Sequence, residues 1–157
     1  MVVRWLLVPL SMIVLLTAGC GTSGNEEQAT MTGASTQPVS GYWTGDLHQA
    51  GLQPFKIAVS INADGGGAVA YTGIECAGTW AETGSNPPDS YEFREEIKFG
   101  SGGNCKGSGT VNLRRAGAQL DYAFEGGGVT SEGILSRATS QEMTRIFRQV
   151  GALPLPD

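Results

Sequence analysis

The chain has 157 residues and a mass of 16.4 kDa, a length typical of one domain. Glycine supplies 24 residues, about twice its ordinary usage, and the net charge is −5 at pH 7. This acidic balance argues against a nucleic-acid partner, and one histidine with three cysteines excludes a multi-histidine metal site and a cysteine-rich zinc module.

Residues 1–19 have the organisation of a secretory leader. Arg4 supplies a positive charge, and residues 5–18 form an apolar run that is too short for a bilayer, which requires about 20 apolar residues. The run ends in the sequence Leu-Thr-Ala-Gly-Cys, whose last residue is Cys20. This ending resembles the lipobox of bacterial lipoprotein precursors.

The resemblance implies cleavage before Cys20 and acylation of its thiol, with palmitate among the attached chains. Two or more acyl chains hold a protein stably on a membrane, so we expect a lipid-anchored protein at the extracytoplasmic face of the cell membrane. The remainder of residues 20–40 is polar and predicts a disordered tether. An ordinary leader with an incidental cysteine, or an uncleaved anchor, is the alternative.

The other two cysteines form a candidate disulfide. If Cys20 carries lipid, Cys76 and Cys105 remain as a pair separated by 29 residues. A disulfide is the expected fate of such a pair outside the cytoplasm, and two free buried thiols are the alternative.

Residues 41–138 read as short strands separated by glycine-rich turns. In 55–62 and in 91–99 apolar side chains alternate with polar ones, the pattern of a half-buried strand. On the apolar face of the second segment, Glu95 stands among aromatic and aliphatic residues that include Phe99. A loop is predicted over 83–90, because it contains two consecutive prolines. The predicted strands are 42–48, 55–62, 68–72, 76–82, 91–99, 110–115, 120–125 and 129–137.

These elements predict an all-β fold, a small up-and-down antiparallel barrel of about eight strands, with a sandwich as the alternative. The short connections favour the barrel, and closure removes exposed strand edges. Residues 139–157 predict a short helix and tail. Met143, Ile146, Phe147 and Val150 have helical spacing, so we expect the helix to pack on the barrel wall, or alternatively on a membrane surface.

The ends of the strand region carry a second resemblance. A Gly-x-Trp motif at Gly41 and Trp43 begins the first strand, and Arg137 ends the last one. This arrangement is similar to lipocalin-like (calycin) barrels and to compact β domains in lipoproteins of high-GC Gram-positive bacteria. It implies that Trp43 closes one end of the barrel and that Arg137 packs across its indole ring.

Few residues have the chemistry of an active site. His48 is the only imidazole and has no motif around it, so we predict a surface residue, no enzyme activity and no cofactor. Glu95 is either an anchor for a ligand or a structural carboxylate, with Arg115 and Arg137 as candidate partners, since a buried carboxylate requires pairing or hydrogen bonding. A register slip at a bulge is the remaining alternative. A glycosidase-like pairing of Glu95 with Asp121 or Glu125 has no support from spacing.

Two functions agree with these features. The first is a cell-envelope lipoprotein whose barrel binds a small apolar or envelope-derived ligand, held shallowly at an open end because the many aromatics fill the interior. The second is a non-enzymatic interaction or structural lipoprotein that holds a partner protein through its outer face or loops. We expect no nucleic-acid partner, and we expect membrane contact through the lipid on Cys20.

Overall fold

The computed structural model describes residues 38–100, 105 and 107–152, all within the compact unit Gly33–Asp157. Cys20 and the predicted leader lie outside the described residues. The described part contains eight strands and one helix. They are β1 Gly41–Gln49, β2 Phe55–Ile61, β3 Gly66–Thr72, β4 Cys76–Asn86, β5 Ser90–Phe99, β6 Ser108–Ala116, β7 Gln119–Gly126, β8 Val129–Arg137 and α1 Ser140–Gln149.

The strands form a closed barrel in sequence order. Each strand is antiparallel to the next one, and β8 returns to pair with β1. Trp43 of β1 lies opposite Arg137 in the closing pair with β8 and opposite Val59 in the pair with β2. The predicted up-and-down barrel is therefore confirmed, and the sandwich is not formed.

In β2 and β5, alternate side chains point into the interior, as the alternation predicted. Phe99 is an exception: its side chain is 59% exposed, and the prediction that it points inward was wrong. The pairing of β4 with β5 shifts register between Ala77 and Gly78, which lie opposite Phe99 and Ile97. This irregularity breaks the alternation at the end of β5, so Ile97 is half-buried and Phe99 faces solvent.

The prediction of a loop over 83–90 was also wrong in extent. Strand β4 continues to Asn86, and the turn before β5 contains only residues 87–89. A second register shift lies between Glu82 and Gly84, and the side chains of 83–86 are exposed. A bulge interrupts the period of two, and residues 83–86 project into water. Their sequence therefore lacks the alternation of apolar and polar residues that would predict a strand.

Helix α1 packs on the outside of the barrel, as predicted. Thr139 caps its first turn, with Oγ1 accepting a hydrogen bond from the Glu142 backbone N–H at 3.2 Å. The apolar side of the helix is buried against small residues of β2, β3 and β4, so it is covered by the barrel wall. The cluster contains Ala58, Ala68, Ala70, Ala77, Met143, Ile146 and Phe147.

The two ends of the barrel differ, and we call them the base and the mouth. At the base, the Arg137 guanidinium lies 4.0 Å from the centre of the Trp43 ring. Trp43 Nε1 donates to the Val39 carbonyl at 2.7 Å, and Arg137 donates to the Ser40 carbonyl at 2.7 Å. The segment before β1 is thereby fastened across the base. The mouth is the opposite end, formed by the connections that follow β1, β3, β5 and β7.

Candidate functional site

A small recess opens at the mouth and reaches the middle of the barrel. Its cavity volume is about 30 Å³, room for about two water-sized groups. The outer walls are mainly apolar, but they include Gln49, whose Oε1 accepts a hydrogen bond from Ser131 Oγ at 2.8 Å. The polar groups of Tyr71, Glu95 and Tyr122 converge at the inner end. The lining residues are Gln49, Phe55, Tyr71, Ile74, Cys76, Glu95, Ile97, Cys105, Gly107, Tyr122, Phe124, Val129 and Ser131.

Glu95 is the charged side chain of this lining and is only 3% exposed. It points inward because it continues the alternation of Tyr91 and Phe93 along β5. Trp80 lies directly opposite it on β4 and donates Nε1–H to Glu95 Oε2 at 2.8 Å. Tyr71 of β3 donates its hydroxyl to the same oxygen. Among the described residues, none donates a hydrogen bond to the second oxygen, Oε1.

The hydroxyl groups form a directed chain that ends at this carboxylate. The Tyr71 and Tyr122 hydroxyl oxygens are 3.3 Å apart. A phenol has one proton, and Tyr71 gives its proton to Glu95, so Tyr122 must be the donor to Tyr71. The protons of both phenols and of the Trp80 indole are therefore directed towards Glu95, and the lone pairs of Tyr122 remain as acceptors.

Burial dominates the electrostatics of this cluster. Desolvation raises the pKa of Glu95 from its ordinary value of 4.5, while the hydrogen bonds from Tyr71 and Trp80 act in the opposite direction by stabilising the anion. Burial also raises the pKa of Tyr71 and of Tyr122 well above their ordinary range, helped by the nearby carboxylate. Both phenols therefore stay protonated, and Glu95 has no cation among its described partners.

Aromatic packing and the disulfide hold the recess in shape. The Trp80 ring stacks on Tyr122 with centroids 6.2 Å apart and lies 5.3 Å from Phe93. Cys76 and Cys105 form the predicted disulfide, with 6.1 Å between their Cα atoms. Both cysteines line the recess, so the disulfide fastens part of the connection after β5 to the start of β4 at the mouth.

The inward position predicted for Glu95 is confirmed, but its partners are not the predicted arginines. Arg137 covers Trp43 at the base, and Arg115 donates Nε–H to the Pro88 carbonyl at 3.2 Å. Both lie towards the base, because they end β8 and β6 there. The carboxylate instead accepts hydrogen bonds from neutral donors on β3 and β4, which satisfy one oxygen without neutralising the charge.

The other candidate residues lie on the outside of the barrel. His48 is exposed on β1 opposite Glu132, so its predicted surface position is confirmed. Asp121 forms an ion pair with Arg114 at 3.3 Å, and Glu125 is exposed. Neither carboxylate shares the recess with Glu95, so the glycosidase-like pair is not assembled.

Sequence reasoning missed the roles of Tyr71, Trp80 and Tyr122 in this site. All three lie on predicted strands, within 68–72, 76–82 and 120–125, and their side chains are buried in the barrel. Their polar atoms could have predicted a contact with Glu95. A buried phenol or indole N–H requires a hydrogen-bond partner, and Glu95 was the inward carboxylate. The strand register that brings them together was not predictable from local sequence.

Across residues 38–100, 105 and 107–152, no group of three or more histidine, cysteine, aspartate or glutamate side chains is placed to hold a metal ion. In the same ranges, no helix combines the length and apolar character needed to cross a bilayer. No family model, curated protein or solved structure matches the chain.

Proposed function

We propose that the chain is a non-enzymatic lipoprotein of the bacterial cell envelope whose barrel binds a small ligand at the mouth. The observation that carries this proposal is the recess, which contains the carboxylate of Glu95, a residue only 3% exposed. One oxygen of this carboxylate receives no donor from the described residues, and the walls above it are mainly apolar. Apolar walls with a few convergent polar groups and a perturbed pKa are the usual composition of a small-ligand site.

The size of the recess decides how the ligand binds. A cavity of about 30 Å³ admits only a small head group, so the rest of the ligand lies outside it on the rim. Phe55, Ile74, Phe124 and Val129 provide apolar contact there. The binding is therefore shallow, unlike that of a barrel with a hollow interior.

A partner protein on the outer face has less support. The large apolar residues exposed in the described part are Tyr42, Phe99 and Ile134, on three different strands. Tyr42 lies near the base, Phe99 lies at the mouth, and Ile134 lies opposite Asp46 midway along β1. Singly scattered apolar residues are normal on a soluble surface and do not define an interface.

The ligand proposal is tested by mass spectrometry of small molecules extracted from the intact protein, purified gently from its native envelope. From the wild type we expect a molecule with an apolar part in near-stoichiometric amount. The Val129→Phe variant should lack this molecule, because the larger side chain fills the recess. Thr130→Phe adds the same ring on the exposed outer face and should retain it. An empty wild-type protein, or equal amounts in both variants, would overturn the proposal.

The membrane attachment rests on the lipobox resemblance and has a separate test. We expect Cys20→Ser to block processing or to release the protein from the membrane fraction, because acyl chains on the thiol supply the attachment. Wild type and Thr22→Ser, a change outside the lipobox, should both remain membrane-bound. Membrane retention and normal processing of the Cys20→Ser protein would contradict lipid anchoring.

A further inference from the structure

We propose that the head group recognised in the recess is a primary ammonium on an aliphatic stem. This inference deepens the proposed function, on which it rests, and names the chemical class of the ligand. It follows from three properties of the recess: the direction of its hydrogen bonds, the charge of Glu95, which has no ion pair among the described residues, and the size of the cavity.

The hydrogen bonds leave acceptors at the inner end of the recess. The indole proton of Trp80 and the hydroxyl proton of Tyr71 are both given to Glu95 Oε2, and the Tyr122 proton is given to Tyr71. Within 38–100, 105 and 107–152, no group donates to Glu95 Oε1 or to the Tyr122 oxygen, and we assign these acceptors to a ligand. An ammonium has three donors and no acceptor, so it complements this arrangement, whereas a carboxylate or phosphate does not.

The charge of the recess favours a cation over a neutral donor. Glu95 receives hydrogen bonds from a phenol and an indole but has no ion pair among the described residues. A buried carboxylate without a counter-charge is costly, and a bound cation relieves that cost. Phe55 and Phe124 in the walls add aromatic surface, which also attracts cations.

The size of the recess selects among cations. About 30 Å³ accommodates an ammonium and about one methylene, but not four methyl groups on one nitrogen. The apolar rim then contacts the carbons that follow. A primary amine with a short unbranched chain satisfies both requirements.

The test uses the intact protein in detergent and the indole N–H resonance of Trp80 as reporter, because this proton is bonded to Glu95. The Trp43 indole, bonded to Val39 at the base, is the internal control. The probes are n-butylammonium, its neutral analogue n-butanol, and tetramethylammonium. We expect n-butylammonium to shift the Trp80 signal and to bind at least roughly tenfold more tightly than the other two probes.

Glu95→Gln keeps the size of the side chain and removes its charge. We expect this variant to reduce the preference for n-butylammonium over n-butanol to within about twofold. Glu96→Gln is the matched control, since Glu96 is the next residue on β5, is exposed and pairs with Lys98 at 2.6 Å. It should behave as wild type, since exposed ion pairs contribute little.

The outcomes separate the two proposals. If n-butanol binds as tightly as n-butylammonium in the wild type, or if Glu95→Gln keeps the preference, the ammonium assignment is wrong and the binding recess stands. If none of the probes shifts Trp80 and no molecule is extracted from the native protein, the proposed function fails as well.

A further probe, Nα-acetyl-lysine amide, distinguishes the source of the ammonium. If it binds more tightly than n-butylammonium, the ammonium belongs to a lysine side chain; weaker binding assigns it to a free amine.

Discussion

At the scale of single residues, Glu95 has a structural role and is also the carboxylate of the proposed binding site. Its Oε2 atom completes the hydrogen bonding of Tyr71 and Trp80, which are buried polar groups in an otherwise apolar interior. Its charge is not needed for that purpose, because a neutral amide oxygen accepts the same two bonds. A carboxylate therefore costs folding energy at neutral pH that glutamine would not cost.

This cost predicts a pH dependence of stability. Burial raises the pKa of Glu95 in the folded state above the value of 4.5 that it has when exposed. Folding thus favours the protonated form of Glu95. The resulting contribution to the unfolding free energy is fully present below pH 4.5 and is lost as pH rises through the raised pKa. We expect the unfolding free energy of wild type to fall relative to Glu95→Gln across this window.

Denaturant unfolding of the two proteins between pH 4 and 8 measures this difference. Glu96→Gln again serves as the control, because Glu96 is exposed and its pKa is lowered by the hydrogen bond and charge of Lys98. Parallel pH profiles for wild type and Glu95→Gln would show that Glu95 has no raised pKa.

At the scale of elements, β4 and β5 depart most from regular geometry. Their pairing shifts register twice, once near the mouth and once before the turn at residues 87–89. The shift near the mouth adjoins the Cys76–Cys105 disulfide, which fixes the start of β4 against the connection after β5. The wall of the recess therefore depends on a covalent link where ladder pairing is irregular.

Removal of this link should lower stability substantially. The disulfide joins residues 29 positions apart, and a loop of this length implies roughly 3–4 kcal/mol of unfolding free energy on the chain-entropy model. We expect this loss in the double variant Cys76→Ala, Cys105→Ala, measured by denaturant unfolding without reductant. Reductant should lower the stability of wild type similarly and leave the variant unchanged; a wild type insensitive to complete reduction would contradict the prediction.

At the scale of the whole molecule, closure of the barrel explains part of the glycine content. In the closing pair, Gly45 of β1 lies opposite Leu135 of β8, and Gly133 of β8 lies opposite Leu47 of β1. A Cβ atom at Gly45 would overlap the carbonyl oxygen of Ile134 and lie 2.9 Å from Leu135 Cδ2. The sheet closes here because each leucine occupies the space above the facing glycine.

Alanine at this position should therefore destabilise the entire barrel. We expect Gly45→Ala to cost about 1–3 kcal/mol of unfolding free energy, since backbone must move to admit the methyl group. Gly84→Ala is the control, because its Cβ would lie 3.9 Å from the nearest atom, the Glu92 Cβ, on the exposed part of β4. It should change stability by no more than about 0.5 kcal/mol. Equal effects of the two substitutions would show that closure does not depend on Gly45.

The sequence by itself determined the strand content, the order of the elements, the helix and the inward position of Glu95. These features follow from local periodicity, turn residues and capping, which are properties of neighbouring residues. The disulfide followed from the count of cysteines, on the expectation that Cys20 carries lipid. The alternation failed at Phe99 and at 83–86, where bulges interrupt it.

Only the tertiary structure decided how the candidate site is assembled. Tyr71, Trp80, Glu95 and Tyr122 come from four strands, and their contacts depend on the register of each pair around the closed barrel. Register is set by the packing of the full interior, so no local segment specifies that a phenol rather than an arginine reaches the carboxylate. The size of the recess, and the lack of a donor to Glu95 Oε1 in the part of the chain that the structure describes, are consequences of that packing.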